Sequence, residues 1–340
     1  KDNSLLYIFD AEEHIAMNFE DLNVLFLAKF APTNNKYPLV TEETDGIYAQ
    51  YHFDIFKILQ KKCPKTVCAH DPSILLNSNT KYDYVFSLLN RAPYKNSEIF
   101  VSSLLEYLNI PYLGSRPNMR ALAEDKHLAK IVAQHVGLHT PSWMVVDADE
   151  SLPDTPLFDG PYFIKPRFGA SSAFIDENSL AISWDKALDQ IMKLQKNNLD
   201  VIIEQFVDGI YYSVPIYLKE GKIIHLPTVK EISNLKGNIV TYRQKRKLQT
   251  GLTREINRDL SLEKEFKNLS NAFLQQLQPL DYTRMDFIVT SKHIEFIEFN
   301  LCCNLGQQSS FCIAAKEYGL NQEALVTEIF LNSLSRQKVI

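Results

Sequence analysis

Two apolar runs near the C-terminal end constrain the fold most. Phe287-Ile288-Val289 follows Arg284-Met285-Asp286, and Ile294-Glu295-Phe296-Ile297 leads into Glu298-Phe299-Asn300, with the polar link Thr290-Ser291-Lys292 between. Apolar runs joined this tightly read as adjacent strands. Side chains alternate along a strand, so Arg284 and Asp286 share one face, as do Glu298 and Asn300. Once paired, the strands bring two carboxylates, a carboxamide and a guanidinium onto one patch. Oxygen donors in that number suit Mg²⁺, which prefers carboxylates and phosphate oxygens. Taken alone, such tripeptides are more simply a solvated surface with weak ion pairs. The remainder of the chain has to decide.

A chain of 340 residues suits two or three subdomains. Its net charge of −5 gives no basic footprint, which argues against a nucleic-acid partner. No apolar run approaches the ~20 residues that span a bilayer, so no membrane partner is expected. The opening Lys1-Asp2-Asn3-Ser4 lacks the apolar core of a signal peptide. Five cysteines in this length do not suggest a disulfide framework, and the adjacent Cys302-Cys303 fits no zinc spacing. A reducing, cytoplasmic setting is expected.

The first third alternates strand and helix. Leu5 to Phe9 and Tyr84 to Leu89 are buried-strand runs. Residues Glu98 to Leu108 are amphipathic at helical spacing and stop at Asn109-Ile110-Pro111, ahead of a short strand. This patterning predicts a small parallel sheet. One long helix is predicted from near Asn118 to His135, with Gly137 as its C′ residue and Pro141 beyond. Strands follow at Tyr162–Pro166 and Val201–Phe206, then an antiparallel meander through Tyr212–Tyr217 and Lys222–His225. Helix returns at Leu262–Leu277 and near Asn321–Leu334. The class is α/β at the start and antiparallel α+β afterwards.

Lys165-Pro166-Arg167-Phe168-Gly169-Ala170-Ser171-Ser172 follows a strand and combines a lysine with small and hydroxyl residues. Such turns let backbone N–H groups approach phosphate, although the Walker A order is absent. The order of motifs along the chain is more specific than any one of them. Leu105 to Ser115 resembles the LE-x-x-x-IPYxGS signature of D-alanine–D-alanine ligases in the ATP-grasp superfamily. Ala121 to Lys130 resembles their AL-x-x-DK-x-x-x-K helix, Ile164-Lys165-Pro166 with Ser171-Ser172 their VKP…GSS, and the two C-terminal tripeptides their RxD and ExN. The likeness covers roughly residues 80 to 335.

That resemblance implies an ATP-grasp fold of three subdomains: a substrate-side α/β unit over 1–115, a central lid unit over 116–203, and an ATP- and Mg²⁺-binding unit over 204–340. It implies that Lys126 and Lys165 hold nucleotide phosphates, with the amides around Ser171 and Ser172 closing over them. Glu204 would sit at the adenine or ribose end, with Phe206, Val207 and Ile297 around the base and Tyr211 at the ribose position. Asp286, Glu298 and Asn300 would bind Mg²⁺, two ions in number and replaceable by Mn²⁺. Arg284, Lys245, Ser171 and Asn304 would serve the chemistry, while Glu13, Arg246, Ser309 and Ser310 would bind the small-molecule substrates. The resemblance also implies a homodimer.

The implied reaction forms a C–N bond through a phosphate-activated acid, releasing ADP and phosphate. Departures from the pattern gather in the substrate half. Residues Asn90 to Glu98 replace HGxxGEDG, Arg246 replaces a tyrosine, Cys303-Asn304-Leu305-Gly306 replaces PGMT, and Tyr211 replaces a glutamate. With Arg91, Lys95 and Arg243 added, they favour a more anionic first substrate. A ligase joining serine or threonine to mycosporine-glycine, with an enol-type oxygen activated, is the first expectation. A D-alanine–D-alanine or other dipeptide ligase is the alternative. From other classes, an ATP-grasp kinase and a catalytically silent nucleotide-binding module are also weighed.

Overall fold

The structure is a computed structural model that describes residues 18–32, 46–77, 80–89, 97–170, 172–245 and 249–340. The expected strand at Leu5 to Phe9, the replaced segment around Arg91 and Lys95, and Glu13, Ser171 and Arg246 lie outside them.

Within the described residues, the first unit runs β1 (Val24–Leu27), α1 (Gly46–Lys62), β2 (Val67–Ala69), α2 (Ile74–Asn77), β3 (Tyr84–Ser87) and α3 (Ser97–Tyr107). The strands form a parallel sheet in the order β2-β1-β3. β1 and β3 are buried at every position, as continuous apolar runs in a parallel sheet require. The short strand expected after Pro111 is a single parallel bridge, Val85 to Tyr112.

The single helix expected over Asn118 to His135 is instead two, α4 (Pro117–Glu124) and α5 (Lys126–His135). Asp125 breaks them. Its backbone is extended, and its carboxylate accepts from the amides of His127 and Leu128, so the second helix starts on its own N-cap. Arg167 then grips the same carboxylate through Nε at 3.0 Å and Nη2 at 2.7 Å. Lys126 consequently stands at the head of a helix facing inwards, not on an exposed face.

Beyond α5 come β4 (Trp143–Val146), β5 (Tyr162–Pro166), β6 (Leu180–Ala181), α6 (Trp184–Gln195) and β7 (Val201–Gln205), with an antiparallel sheet in the order β4-β7-β5-β6. The last unit comprises β8 (Ile210–Lys219), β9 (Lys222–His225), β10 (Val229–Ser233), α7 (Tyr242–Lys245), β11 (Leu252–Ile256), α8 (Leu260–Leu274), β12 (Tyr282–Val289), β13 (Ile294–Asn300), α9 (Ser310–Glu317) and α10 (Gln322–Arg336). Its antiparallel sheet runs β11-β10-β8-β12-β13, with β9 also on β8. One face of that sheet packs Val214, Ile216, Met285, Phe287, Phe296 and Phe299 against α5 and α8. The opposite face carries the polar residues.

Asp281, fully buried, joins the first unit to the last. It accepts from the Gly114 amide at 2.7 Å, from Ser333 at 2.6 Å and from Arg336 Nε at 2.9 Å, while Tyr84 donates to Ser333 at 2.6 Å.

Candidate active site

The predicted hairpin forms, with Arg284 opposite Asn300 and Asp286 opposite Glu298. Strict alternation would place Phe296 on the same face as Glu298. A bulge prevents this: pairing steps from Asp286–Glu298 to Phe287–Phe296 and leaves Ile297 as the extra residue. Phe296 then enters the core, while Ile297 and Glu298 both turn toward the polar side.

Arg284 donates to both oxygens of Asp286, and Asn300 Nδ2 lies 3.3 Å from Asp286 and 3.5 Å from Glu298. Ser213 is a third partner, donating to Asp286 at 3.0 Å. Asp286 is completely buried. Burial raises its pKa and the charge on Glu298 adds to this, while Arg284 opposes both. For Glu298, burial is outweighed by Lys126, Lys165, Lys245 and Arg284, and its pKa falls. Two adjacent carboxylates that repel each other, with a carboxamide beside them, make up the oxygen-donor set that Mg²⁺ takes. The residues fit the ion. Among the described residues no trio of His, Cys, Asp and Glu competes with them.

A second charged group is assembled from α5, β5 and β7. Lys126 Nζ donates to the Gly169 carbonyl at 2.5 Å. One helical turn later, Lys130 Nζ lies 2.9 Å from Glu204 Oε1, and Lys165 Nζ lies 2.8 Å from Glu204 Oε2. Burial alone would raise the Glu204 pKa, but the two lysines hold it down at about 2. Burial lowers Lys126, and it brings Lys130 down to about 8 despite the carboxylate beside it. Lys130 is not among the expected site residues. The four-residue spacing from Lys126 was the available signal.

Two cavities adjoin. A slot of about 110 Å³ is lined by Lys126, Lys165, Phe206, Val207, Tyr211 and Ile297, with Ser172, Glu204 and Glu298 also on its wall. A wider cleft of about 1060 Å³ takes in Arg284, Asn300, Asn304, Ser309 and Ser310. Lys245 and Ala170 line both. Ser309 caps α9, accepting from the Cys312 amide at 3.1 Å and leaving its O–H to donate. Asn304 Oδ1 accepts from the Gly306 amide at 2.7 Å. Glu231 and Arg254, absent from the expected site, also line the cleft. Isolated charges on β10 and β11 carry no motif that would have marked them.

Residues 132–331, more than half of the chain, match the family described as D-ala D-ala ligase C-terminus. The chain belongs to the D-alanine–D-alanine ligase family. A D-alanine–D-alanine ligase from Aquifex aeolicus (strain VF5) is 32% identical over 232 residues, covering 67% of this chain and 76% of that one. D-alanine–D-alanine ligase B from Clostridium perfringens (strain 13 / Type A) is 24% identical over 240 residues, covering 70% and 76%. The solved structure of the Bacillus anthracis D-alanine–D-alanine ligase complexed with ATP superposes with a TM-score of 0.71 at 19% identity, over 93% of this chain and 99% of that one. Membership in this ATP-grasp branch makes the chain an ATP-dependent, ADP-forming carbon–nitrogen ligase, and the mixed α/β fold agrees with it. These relatives favour the dipeptide reading over the mycosporine-type one. No helix among the described residues is long and apolar enough to cross a membrane.

Proposed function

We propose that this ligase joins the carboxyl group of one small amino acid to the amine of a second, with D-alanine the first substrate to test in both positions. The junction of the two cavities carries the reading: Glu298 lines the slot, Arg284 and Asn300 line the cleft, and Lys245 lines both. A nucleotide in the slot would present its terminal phosphate where Arg284 and Lys245 meet the cleft.

In this reading Lys126 and Lys165 bind phosphate oxygens, while Phe206, Val207 and Ile297 flank the base, with Tyr211 toward the ribose. Ser171 and Ser172 belong to the phosphate-covering turn. Asp286, Glu298 and Asn300 would hold Mg²⁺, with two ions and Mn²⁺ as a substitute. The bound ion would offset the charge of the transferring phosphoryl group. The first substrate's carboxylate oxygen takes the terminal phosphoryl group as ADP leaves, giving a mixed anhydride, and the amine then attacks its carbonyl carbon as phosphate departs with the C–O bond electrons. Arg284 and Lys245 steady the negative charge that develops, and Asn304 stands at the carbonyl. Ser309 and Ser310 at the head of α9 receive the carboxylate of the amine donor, with Glu13 and Arg246 assigned to the first substrate. The three-part division at 115 and 203, a homodimer and a cytoplasmic setting belong to the same reading.

The decisive experiment is a screen for amino-acid-dependent phosphate release, with products identified by mass spectrometry. Expected are ADP, phosphate and a dipeptide, with Glu298→Gln reducing phosphate release by about 10²–10³ while the fold persists. Formation of AMP and pyrophosphate, or of a phosphorylated product without an amine, would overturn it.

A further inference from the structure

Glu231 and Arg254 stand opposite each other on β10 and β11, on the cleft side of the large sheet. Glu231 is only 3% exposed. Its Oε1 accepts from Arg254 Nε at 3.2 Å and from Ser213 at 3.4 Å, and among the described residues its Oε2 has no hydrogen-bond partner. Arg254 reaches further, placing Nη1 3.4 Å from the Gln308 carbonyl, one residue before the cap of α9. A buried ion pair is weak support for stability, because taking both charges out of water offsets their attraction. Here the pair fixes a guanidinium on the cleft wall, pinned through Nε and reaching toward the head of a helix.

The charge of the cleft points the same way. Its described lining includes the cations Lys29, Lys245, Arg254 and Arg284 against the carboxylates Asp54 and Glu231. Lys245 and Arg284 lie at the phosphoryl end, where Lys245 also borders the slot and Arg284 is committed to Asp286. Arg254 is the cation placed beside α9. A guanidinium matches a carboxylate in shape and charge, and helix N-termini favour anions.

We propose that Arg254, held in place by Glu231, anchors a free carboxylate on the amine-donor substrate next to the head of α9. This rests on the ligase reading for the identity of the substrate. Arg254 is a specificity-determining residue in this assignment, and Glu231 is its positioning residue.

The test compares binding of D-alanine with binding of D-alaninamide, which has the same amine but no carboxylate, to the full chain in the presence of ADP and Mg²⁺. The wild type should prefer D-alanine by about tenfold or more, as a charge-assisted pair provides. Arg254→Met should abolish that preference and leave ADP affinity unchanged. Arg254→Lys should recover part of the preference. In turnover, Arg254→Met should raise KM for the amine donor by about tenfold with kcat little changed. A wild type that binds the two ligands equally, or binds neither, overturns the anchor without needing any variant to fold. So does an Arg254→Met protein that keeps the preference. If wild-type D-alanine binding follows the expectation but no amino acid elicits phosphate release, the ligase reading fails and the anchor stands.

Discussion

The Arg284 guanidinium engages both carboxylate oxygens of Asp286, at 2.8 Å through Nε and 2.7 Å through Nη2. A fork-shaped donor satisfies two acceptors at once, which a lysine ammonium cannot do in that geometry. Arg284→Lys should therefore lower amine-dependent phosphate release by about a hundredfold, leaving nucleotide affinity within about twofold. Steady-state phosphate release and ADP titration check the two halves. Equal turnover would remove Arg284 from the chemistry.

Glu204 links acid stability to the lysine pair. Against an ordinary value of 4.5, its folded pKa of about 2 means that its contribution is complete above pH 4.5 and lost as pH falls toward 2. That contribution is worth roughly 3 kcal/mol. Glu204→Gln should unfold at lower denaturant than the wild type near neutrality, and the gap between them should close between pH 4.5 and 2. A constant gap would show that the two lysines do not hold the carboxyl down.

Gly237 governs the slot indirectly. Its φ is +69°, and a Cβ there would lie 2.6 Å from the Phe206 ring. Gly237→Ala combines backbone strain with displacement of that ring, at a cost of about 1–3 kcal/mol. The expected readout is a roughly tenfold weaker ATP affinity by calorimetry. Unchanged affinity would detach Phe206 from nucleotide binding.

Arg336→Met leaves Asp281 buried without its cation, beside the Gly114 amide that belongs to the first unit. A loss of about 3–5 kcal/mol in stability is expected, visible as a lower Tm. Catalysis per folded molecule should persist at low temperature, since the clamp lies away from both cavities. An unaltered Tm would rule the clamp out as a stabilising element.

The hairpin was legible because two features agreed, a pair of apolar runs and a short polar link, and the strands pair as expected, with the bulge at Ile297 as the departure from strict alternation. The alternating first third likewise predicted a parallel sheet, which the described residues contain. Other features escaped for definable reasons. Helical periodicity continues through Asp125, so only the side chain's competition for the His127 and Leu128 amides reveals the break. Lys130 occupies a buried ionic cluster that depends on a strand seventy-odd residues away. Glu231 and Arg254 meet only through the register of β10 on β11. Charges whose partners are set by sheet register cannot be paired from local pattern.

The bulge at Ile297 marks the place in β13 where a change in length leaves the neighbouring faces unchanged. Pairing steps from Glu298 to Phe296, so removing Ile297 would leave a regular ladder with Phe296 and Phe299 still in the core and Glu298 still on the opposite face. What such a deletion would take away is the apolar side chain that Ile297 lends to the slot. When this chain is aligned with its relatives, a one-residue gap at Ile297 is therefore compatible with the same hairpin.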